Sequence, residues 1–272
     1  MKVSYLGPKG SFSEIALSNY FRNNITAIPM QSIGDVFQAV EKNESTYGVI
    51  PIENSIEGSV NNSHDLLMES NVLISGEIDL PINQCLLSKN STKENINTLY
   101  SHSQSLAQCQ NWIKSNLPKI KIVPVISNSE GAAMIKTNNE ACIGSQKLSK
   151  DYSLNVLEYN IQDFPDNTTR FLIIGQEVSD KSSNNKTSII VSPSNTSDSG
   201  SLFKVLEPFA NHNVSLSRIE SRPSKMGKWS YVFFIDLDGH ITDQSLINAL
   251  SELEQLGIQF KNLGSYPISS KS

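Results

Sequence analysis

The chain has 272 residues, 38% of them hydrophobic and 18% charged, with a formal net charge of −5. At roughly 100–200 residues per domain, this length predicts one large domain or two, with enough apolar side chains for a core, and excludes a disordered chain. The acidic balance argues against a general nucleic-acid binder, and no run approaches the roughly 18 apolar residues of a membrane span. Met1–Pro8 lacks the charged segment and apolar stretch of a secretion signal, so the cytoplasm is the expected compartment. Cys85, Cys109 and Cys142 stand far apart, with no CxxC and no zinc spacing to His64, His102, His212 or His240. They read as buried thiols, which sets aside a disulfide scaffold or a zinc module.

Up to Gly175 the chain alternates strand and helix patterns, which points to an α/β fold. Val3–Leu6 is a short strand, Gly7–Gly10 a tight turn, and Ser11-x-x-Glu14 a capping-box pattern opening a helix with Phe12, Ile15, Ala16 and Tyr20. The same grammar recurs. Tyr47–Ile52 is a strand followed by Glu53-Asn54-Ser55 and Gly58. Thr98–Ser101 is a strand followed by His102-Ser103-Gln104 and a helix through Trp112. Ile120–Ile126 is a strand followed by Ser127-Asn128-Ser129 and a helix with Ala132, Ala133 and Ile135.

Gln176–Lys186 has few apolar residues and reads as a linker. Beyond it, Thr187–Val191 is strand-like, and Ser192–Ser199 is a polar turn region. Leu202, Val205, Leu206 and Phe209 form the stripe of an amphipathic helix. Val214–Ile219 and Trp229–Leu237 read as a hairpin across a turn at Ser224–Lys228. Leu246, Leu250 and Leu253 mark a second helix closed by Gly257, and Ile258–Tyr266 supplies a last strand. The order βαββαβ is a ferredoxin-like unit with two helices on one face of a four-stranded sheet.

Helix N-termini attract anions, and Ser, Asn and Gln at strand ends add neutral donors in the crevice where α/β proteins bind ligands. Several such turns converging would suit a small carboxylate. Helix capping alone accounts for any one of them. No GxSxG, P-loop, GxGxxG or HExxH occurs, and the four histidines form no obvious ligand set, so neither a metal nor a nicotinamide cofactor is indicated. The strongest local feature is Asn167-Thr168-Thr169-Arg170-Phe171, where a hydroxyl stands beside a guanidinium. Such a pair can donate a hydrogen bond and hold a carboxylate, or it can be a polar strand entry with Arg170 in a salt bridge.

Over essentially its whole length the chain resembles the prephenate dehydratase family. The resemblance rests on ordered motifs: Tyr5–Ser13, Pro51–Val60, Ser101–Cys109 and Asn167–Phe171. The distal part is similar to the family's ACT regulatory domain, with Gly200-Ser201-Leu202-Phe203 and Ile219-Glu220-Ser221-Arg222-Pro223. The resemblance implies a two-lobed, periplasmic-binding-protein-like catalytic domain over 1–176 with the site in the cleft, a linker over 177–186, an ACT domain over 187–267 and a tail over 268–272. No helical mutase segment precedes Met1, so the monofunctional enzyme is expected rather than a fusion with chorismate mutase.

The reaction implied is the decarboxylative dehydration of prephenate to phenylpyruvate, water and carbon dioxide, in phenylalanine biosynthesis, with no cofactor and no metal. Arogenate, the aminated substrate, stays open as an alternative, and a non-catalytic amino-acid sensor is a further reading. The resemblance assigns Thr169 as the essential hydroxyl, donating to the leaving oxygen, and Asn54 and Gln104 to substrate binding or turnover. Arg170, Phe171, Ser55 and Ser11 are expected to bind substrate. Glu53 and Glu57 read as solvated or cap-pairing carboxylates. The ACT domain implies feedback inhibition by L-phenylalanine bound at an interface between copies, hence a homodimer or a homotetramer built as a dimer of dimers. The effector residues expected are Gly200, Ser201, Leu202, Ser215, Glu220, Ser221 and Arg222. Glu220 and Arg222 could instead simply pair with each other on a strand. Ser103, Ser105 and Asn128-Ser129 depart from the residues common in the family near the substrate. Ser201 and Ser215 depart from those near the effector.

Overall fold

The computed structural model describes residues 1–193, 199–224 and 230–268. Residues 194–198, 225–229 and 269–272, which take in parts of both expected distal turns, Trp229 and most of the tail, lie outside the described residues. Two compact units are present: Met1–Ser63 with Asp79–Phe171, and His64–Ile78 with Leu172–Ser272.

The chain opens with β1 (Lys2–Leu6), α1 (Phe12–Phe21), β2 (Thr26–Met30), α2 (Ile33–Glu41), β3 (Tyr47–Asn54), β4 (Gly58–Ser59), α3 (Asn61–Glu69) and β5 (Leu73–Pro81). It continues through β6 (Cys85–Ser88), β7 (Thr98–His102), α4 (Ser103–Gln108), α5 (Gln110–Asn116), β8 (Lys121–Val125), α6 (Asn128–Met134), β9 (Glu140–Gly144), α7 (Gln146–Tyr152) and β10 (Asn155–Glu158). Then β11 (Thr168–Gly175) returns to the first sheet, whose order is β2-β1-β3-β11-β5, with β4 paired to β3. The second sheet has the order β10-β6-β9-β7-β8. These are the two α/β lobes expected.

Alternation along the second sheet explains why helices cover both faces. Leu86, Leu99, Ala141 and Ile143 pack with Ile113 and Leu117, whereas Cys85, Leu87 and Cys142 pack with Ala132 and Leu148. All three cysteines are free and buried, as expected, and burial pushes the Cys109 thiol up to about 12. The helix expected to run from Ser103 through Trp112 is broken: Cys109 ends α4 and precedes α5. Its side chain is drawn into the core beside Ile113, where it leaves helical geometry.

In the second unit, β12 (Asn185–Ser192), α8 (Ser201–Asn211), β13 (Leu216–Pro223), β14 (Tyr231–Asp238), α9 (Gln244–Gln255) and β15 (Gln259–Pro267) form an antiparallel sheet of order β13-β14-β12-β15. That is the ferredoxin-like arrangement. Asn185 and Lys186, expected in the linker, open β12. Val205 and Phe209 of α8 and Leu246, Leu250 and Leu253 of α9 bury against Ile189, Val191, Ile235 and Leu237. Residues 64–70 belong to this unit too. Arg222 Nη2 donates to Asp65 Oδ1 at 2.9 Å, and Lys261 Nζ donates to the Leu67 and Met68 carbonyls at the end of α3.

Candidate active site

The first wall of the site grows from the ends of two neighbouring strands. Asn54 closes β3, and its Oδ1 accepts from the Ile56 and Glu57 N–H groups, each at 3.0 Å. This turn fixes the amide, so Nδ2 points the other way. Nδ2 donates to Asn167 Oδ1 at 2.7 Å and to Thr169 Oγ1 at 2.9 Å. Thr169 Oγ1 is thereby an acceptor, and its own proton is left to donate. Asn54 is 8% exposed and Asn167 1%, so the network is shielded from water, which strengthens it.

The second wall comes from the second sheet and its helices. The backbone N–H of His102 donates to Asn128 Oδ1 at 2.9 Å, which turns Asn128 Nδ2 towards Ser105 Oγ at 2.8 Å. Gln84 Nε2 donates to the same Ser105 Oγ at 3.2 Å and to Gln108 Oε1 at 3.1 Å. Gln108 is left with its Nε2 outward, donating to Glu57 Oε1 at 2.9 Å. Gln104, one turn earlier on α4, donates from its Nε2 to Glu57 Oε2.

A third side is the turn before α1. Ser11 caps this helix, accepting from Glu14 N at 3.4 Å and donating to the Leu6 carbonyl at 3.0 Å. The Glu14 carboxylate accepts from Gly10 N at 2.6 Å. Ser129 Oγ donates to the Lys9 carbonyl at 2.7 Å, and Ser145 Oγ to the Gly10 carbonyl at 3.2 Å, so α6 and α7 grip the turn. Gly10 has φ +87°, and a Cβ there would stand 2.3 Å from Leu148 Cδ2; only glycine fits.

These groups line one cavity of about 510 Å3, and every lining residue belongs to the first unit. Among the described lining residues, Glu57 is the only Asp, Glu, Lys or Arg. The cavity therefore offers hydroxyls, amides and the N-terminus of α1, a set that orients an anion without a formal positive charge. No group of three or more His, Cys, Asp and Glu among the described residues is placed to hold a metal ion.

Of the residues singled out in the sequence, Thr169, Asn54, Gln104, Phe171 and Ser11 line this cavity. Arg170 and Ser55 do not. Arg170 falls between Thr169 and Phe171 on β11, where alternation turns it to the other face. Ser55 ties its turn to β11: its Oγ accepts from Thr168 N at 3.0 Å. Glu57, read as solvated or cap-pairing, instead reaches across to two amides of α4. The sequence assigns no individual role to Gln108, Gln84, Asn128 or Asn167, although Asn128 and Asn167 stand in motifs quoted above. Gln108 was within reach, since it shares a helical face with Gln104 at i+4 inside the same motif. Gln84 carries no local signal.

Residues 3–179 match the family model for prephenate dehydratase, and residues 189–255 that for the ACT domain. The chain belongs to the prephenate dehydratase family. It is 43% identical to the bifunctional chorismate mutase/prephenate dehydratase of Pseudomonas aeruginosa, covering 98% of this chain and 73% of that one. It is 35% identical to the prephenate dehydratase of Bacillus subtilis, covering 98% of both. The crystal structure of prephenate dehydratase from Arthrobacter aurescens, in complex with L-Phe, superposes with a TM-score of 0.89 at 31% identity, over 100% of this chain and 91% of that one. The Staphylococcus aureus prephenate dehydratase gives 0.87 at 33% identity, over 98% and 100%.

In the ACT domain of this family member, Gly200 caps α8 with φ +79°, followed by Ser201 and an exposed Leu202. Ser215 precedes β13 and is exposed, as is Ser221 on it. Glu220 and Arg222 also lie on β13, where Glu220 pairs with Arg218 and Arg222 with Asp65.

Proposed function

We propose that this chain converts prephenate into phenylpyruvate, water and carbon dioxide. The observation that carries the reading is the Asn54–Thr169 hydrogen bond, 2.9 Å long, at the wall of a cavity in a chain of this family. In the reaction, the bond from the ring to its carboxylate breaks, and its electron pair enters the ring. The ring C–O bond breaks with its pair on oxygen, which takes up a proton and leaves as water. Aromatisation drives the step, so no electron acceptor is required. Hydroxide leaves poorly, and a donor at that oxygen lowers the barrier. Thr169 supplies the hydrogen bond, and Asn54, by donating to Oγ1, polarises the hydroxyl towards donation. The ring carboxylate loses its charge in the transition state, so neutral amides serve better than a cation that would stabilise the ground state.

The ACT domain supports the second half of the reading, in which L-phenylalanine inhibits the enzyme. The effector would bind near Gly200–Leu202, Ser215 and Glu220–Arg222, where two copies pair in a homodimer or a dimer of dimers. β13 is an edge strand, open to pairing with a second copy. No helix among the described residues is long and apolar enough to cross a membrane, and the cytoplasm is the proposed compartment.

The test is phenylpyruvate formation from prephenate by wild type and Thr169→Ala, with a chelator, and with and without L-phenylalanine. Turnover that survives the chelator, collapses in the variant and falls with L-phenylalanine is the expected result. Faster turnover of arogenate than of prephenate would move the substrate assignment to the aminated acid.

A further inference from the structure

Glu57 is the one carboxylate among the described residues lining the cavity, and it does not face solvent alone. Each of its oxygens accepts from a different side-chain amide, Gln104 Nε2 and Gln108 Nε2, across the cavity from its own turn. Two donors one helical turn apart, aimed at the two oxygens of one carboxylate, form a bidentate receptor for a carboxylate as a chemical class. The receptor is built in advance. Gln84, 1% exposed, donates to Gln108 Oε1 and so keeps Gln108 Nε2 facing the cavity. The chain that sets these orientations ends on a fixed backbone donor, His102 N–H, through Asn128 and Ser105.

We propose that Gln104 and Gln108 form a subsite for a substrate carboxylate, that Glu57 is its internal occupant when the cleft is empty, and that Gln84 is the positioning residue that orients it. The inference rests on the reading that the ligand is a carboxylic acid such as prephenate. The substrate enters by displacing Glu57, which swings out on the exposed β3–β4 turn. Binding strength is then reduced by the fraction of molecules in which Glu57 sits in place. A subsite closed for about nine-tenths of the time raises the apparent Kd about tenfold. The same carboxylate rejects ligands that lack a group able to replace it.

The experiment measures KM for prephenate, calorimetric Kd for phenylpyruvate and the side-chain amide resonances of Gln104 and Gln108, in wild type, E57A, E57Q and Q84L. Removing Glu57 is expected to lower KM and Kd about three- to tenfold, with E57Q shifting them less because its amide oxygen still accepts. The gain persists in about 0.5 M salt, where long-range repulsion between carboxylates is screened. The two amide resonances move in E57A, and phenylpyruvate moves them further in the same protein. Q84L raises Kd. Unchanged or raised KM and Kd in E57A, or phenylpyruvate that binds without moving either amide, would overturn the proposal. A Q84L protein that loses melting temperature but keeps its Kd would remove Gln84 from it. Wild type that binds phenylpyruvate at these amides yet does not turn over prephenate would instead defeat the functional reading and leave this one standing.

Discussion

The two walls of the cavity use the same kinds of side chain to opposite ends. On the Asn54 side the amide is fully used within the protein: Asn54 serves Ile56, Glu57, Asn167 and Thr169 at once, and the Thr169 hydroxyl proton is left over. On the Gln104 side the donors are left over, and what they hold is a side chain on an exposed turn. An amide held on both its oxygen and its nitrogen fixes a single atom where a bond breaks. An unsaturated row of amides accepts whichever carboxylate arrives. The first wall should therefore govern kcat and the second KM.

The largest effect belongs to Thr169. Its replacement by alanine removes the leaving-group donor and should lower kcat by about 10²–10⁴-fold, while serine, which keeps the hydroxyl, retains most of the rate. Steady-state kinetics on the two variants decide it. A Thr169→Ala enzyme altered only in KM would erase the distinction between the walls. Asn54→Ala comes next. It leaves the hydroxyl in place but unpolarised, and it strips partners from Asn167 and two N–H groups. The expected outcome is a smaller fall in kcat, together with about 1–3 kcal/mol of lost stability in urea unfolding. On the other wall, Gln108→Leu should raise KM about tenfold, the value of one charge-assisted hydrogen bond of about 1.4 kcal/mol, with a smaller change in kcat. If it lowered kcat as Thr169→Ala does, the amides would belong to the chemistry.

The same contrast explains what could be read from the sequence. The first wall was legible because Asn54, the last residue of β3, and Thr169, the second of β11, sit in motifs, although they are 115 residues apart and only the sheet order brings them together. The ferredoxin-like half was legible because its stripes are local: Leu202, Val205, Leu206 and Phe209 need no tertiary knowledge. Helix α2 is local in the same way: Ile33, Val36, Phe37 and Val40 carry the helical period, and Ser32 and Asp35 form a capping box. Gln84 was illegible in principle. A glutamine before an apolar strand looks like a solvent-facing residue, and its burial follows from Ser105 and Gln108, more than twenty residues later. The membership of residues 64–78 in the second unit was equally hidden, because it depends on Arg222, Lys186 and Lys261 meeting Asp65, Glu77 and the end of α3.

The smallest effect tests a carboxylate outside the cavity, held by partners as Glu57 is but with a lysine among them. Asp243, the residue before α9, accepts from Lys181 Nζ and from His240 N, the latter at 2.8 Å. The Lys181 hydrogen bond, then the His240 N–H, hold its carboxyl below the usual aspartate value against a modest burial penalty. A carboxyl depressed in the folded state contributes stability above its unfolded value of 3.8, and that contribution fades as pH falls through the lower, folded value. Lys181 is 54% exposed, so solvent screens the pair and the contribution is small. Lys181→Met should therefore melt about a degree below wild type at pH 6, and the gap should close as pH falls below 3.8. Differential scanning calorimetry at the two ends of that range reads the difference directly. A gap that persisted in acid would mean that Lys181 acts through packing of its aliphatic stem, and that its charge is not what Asp243 senses.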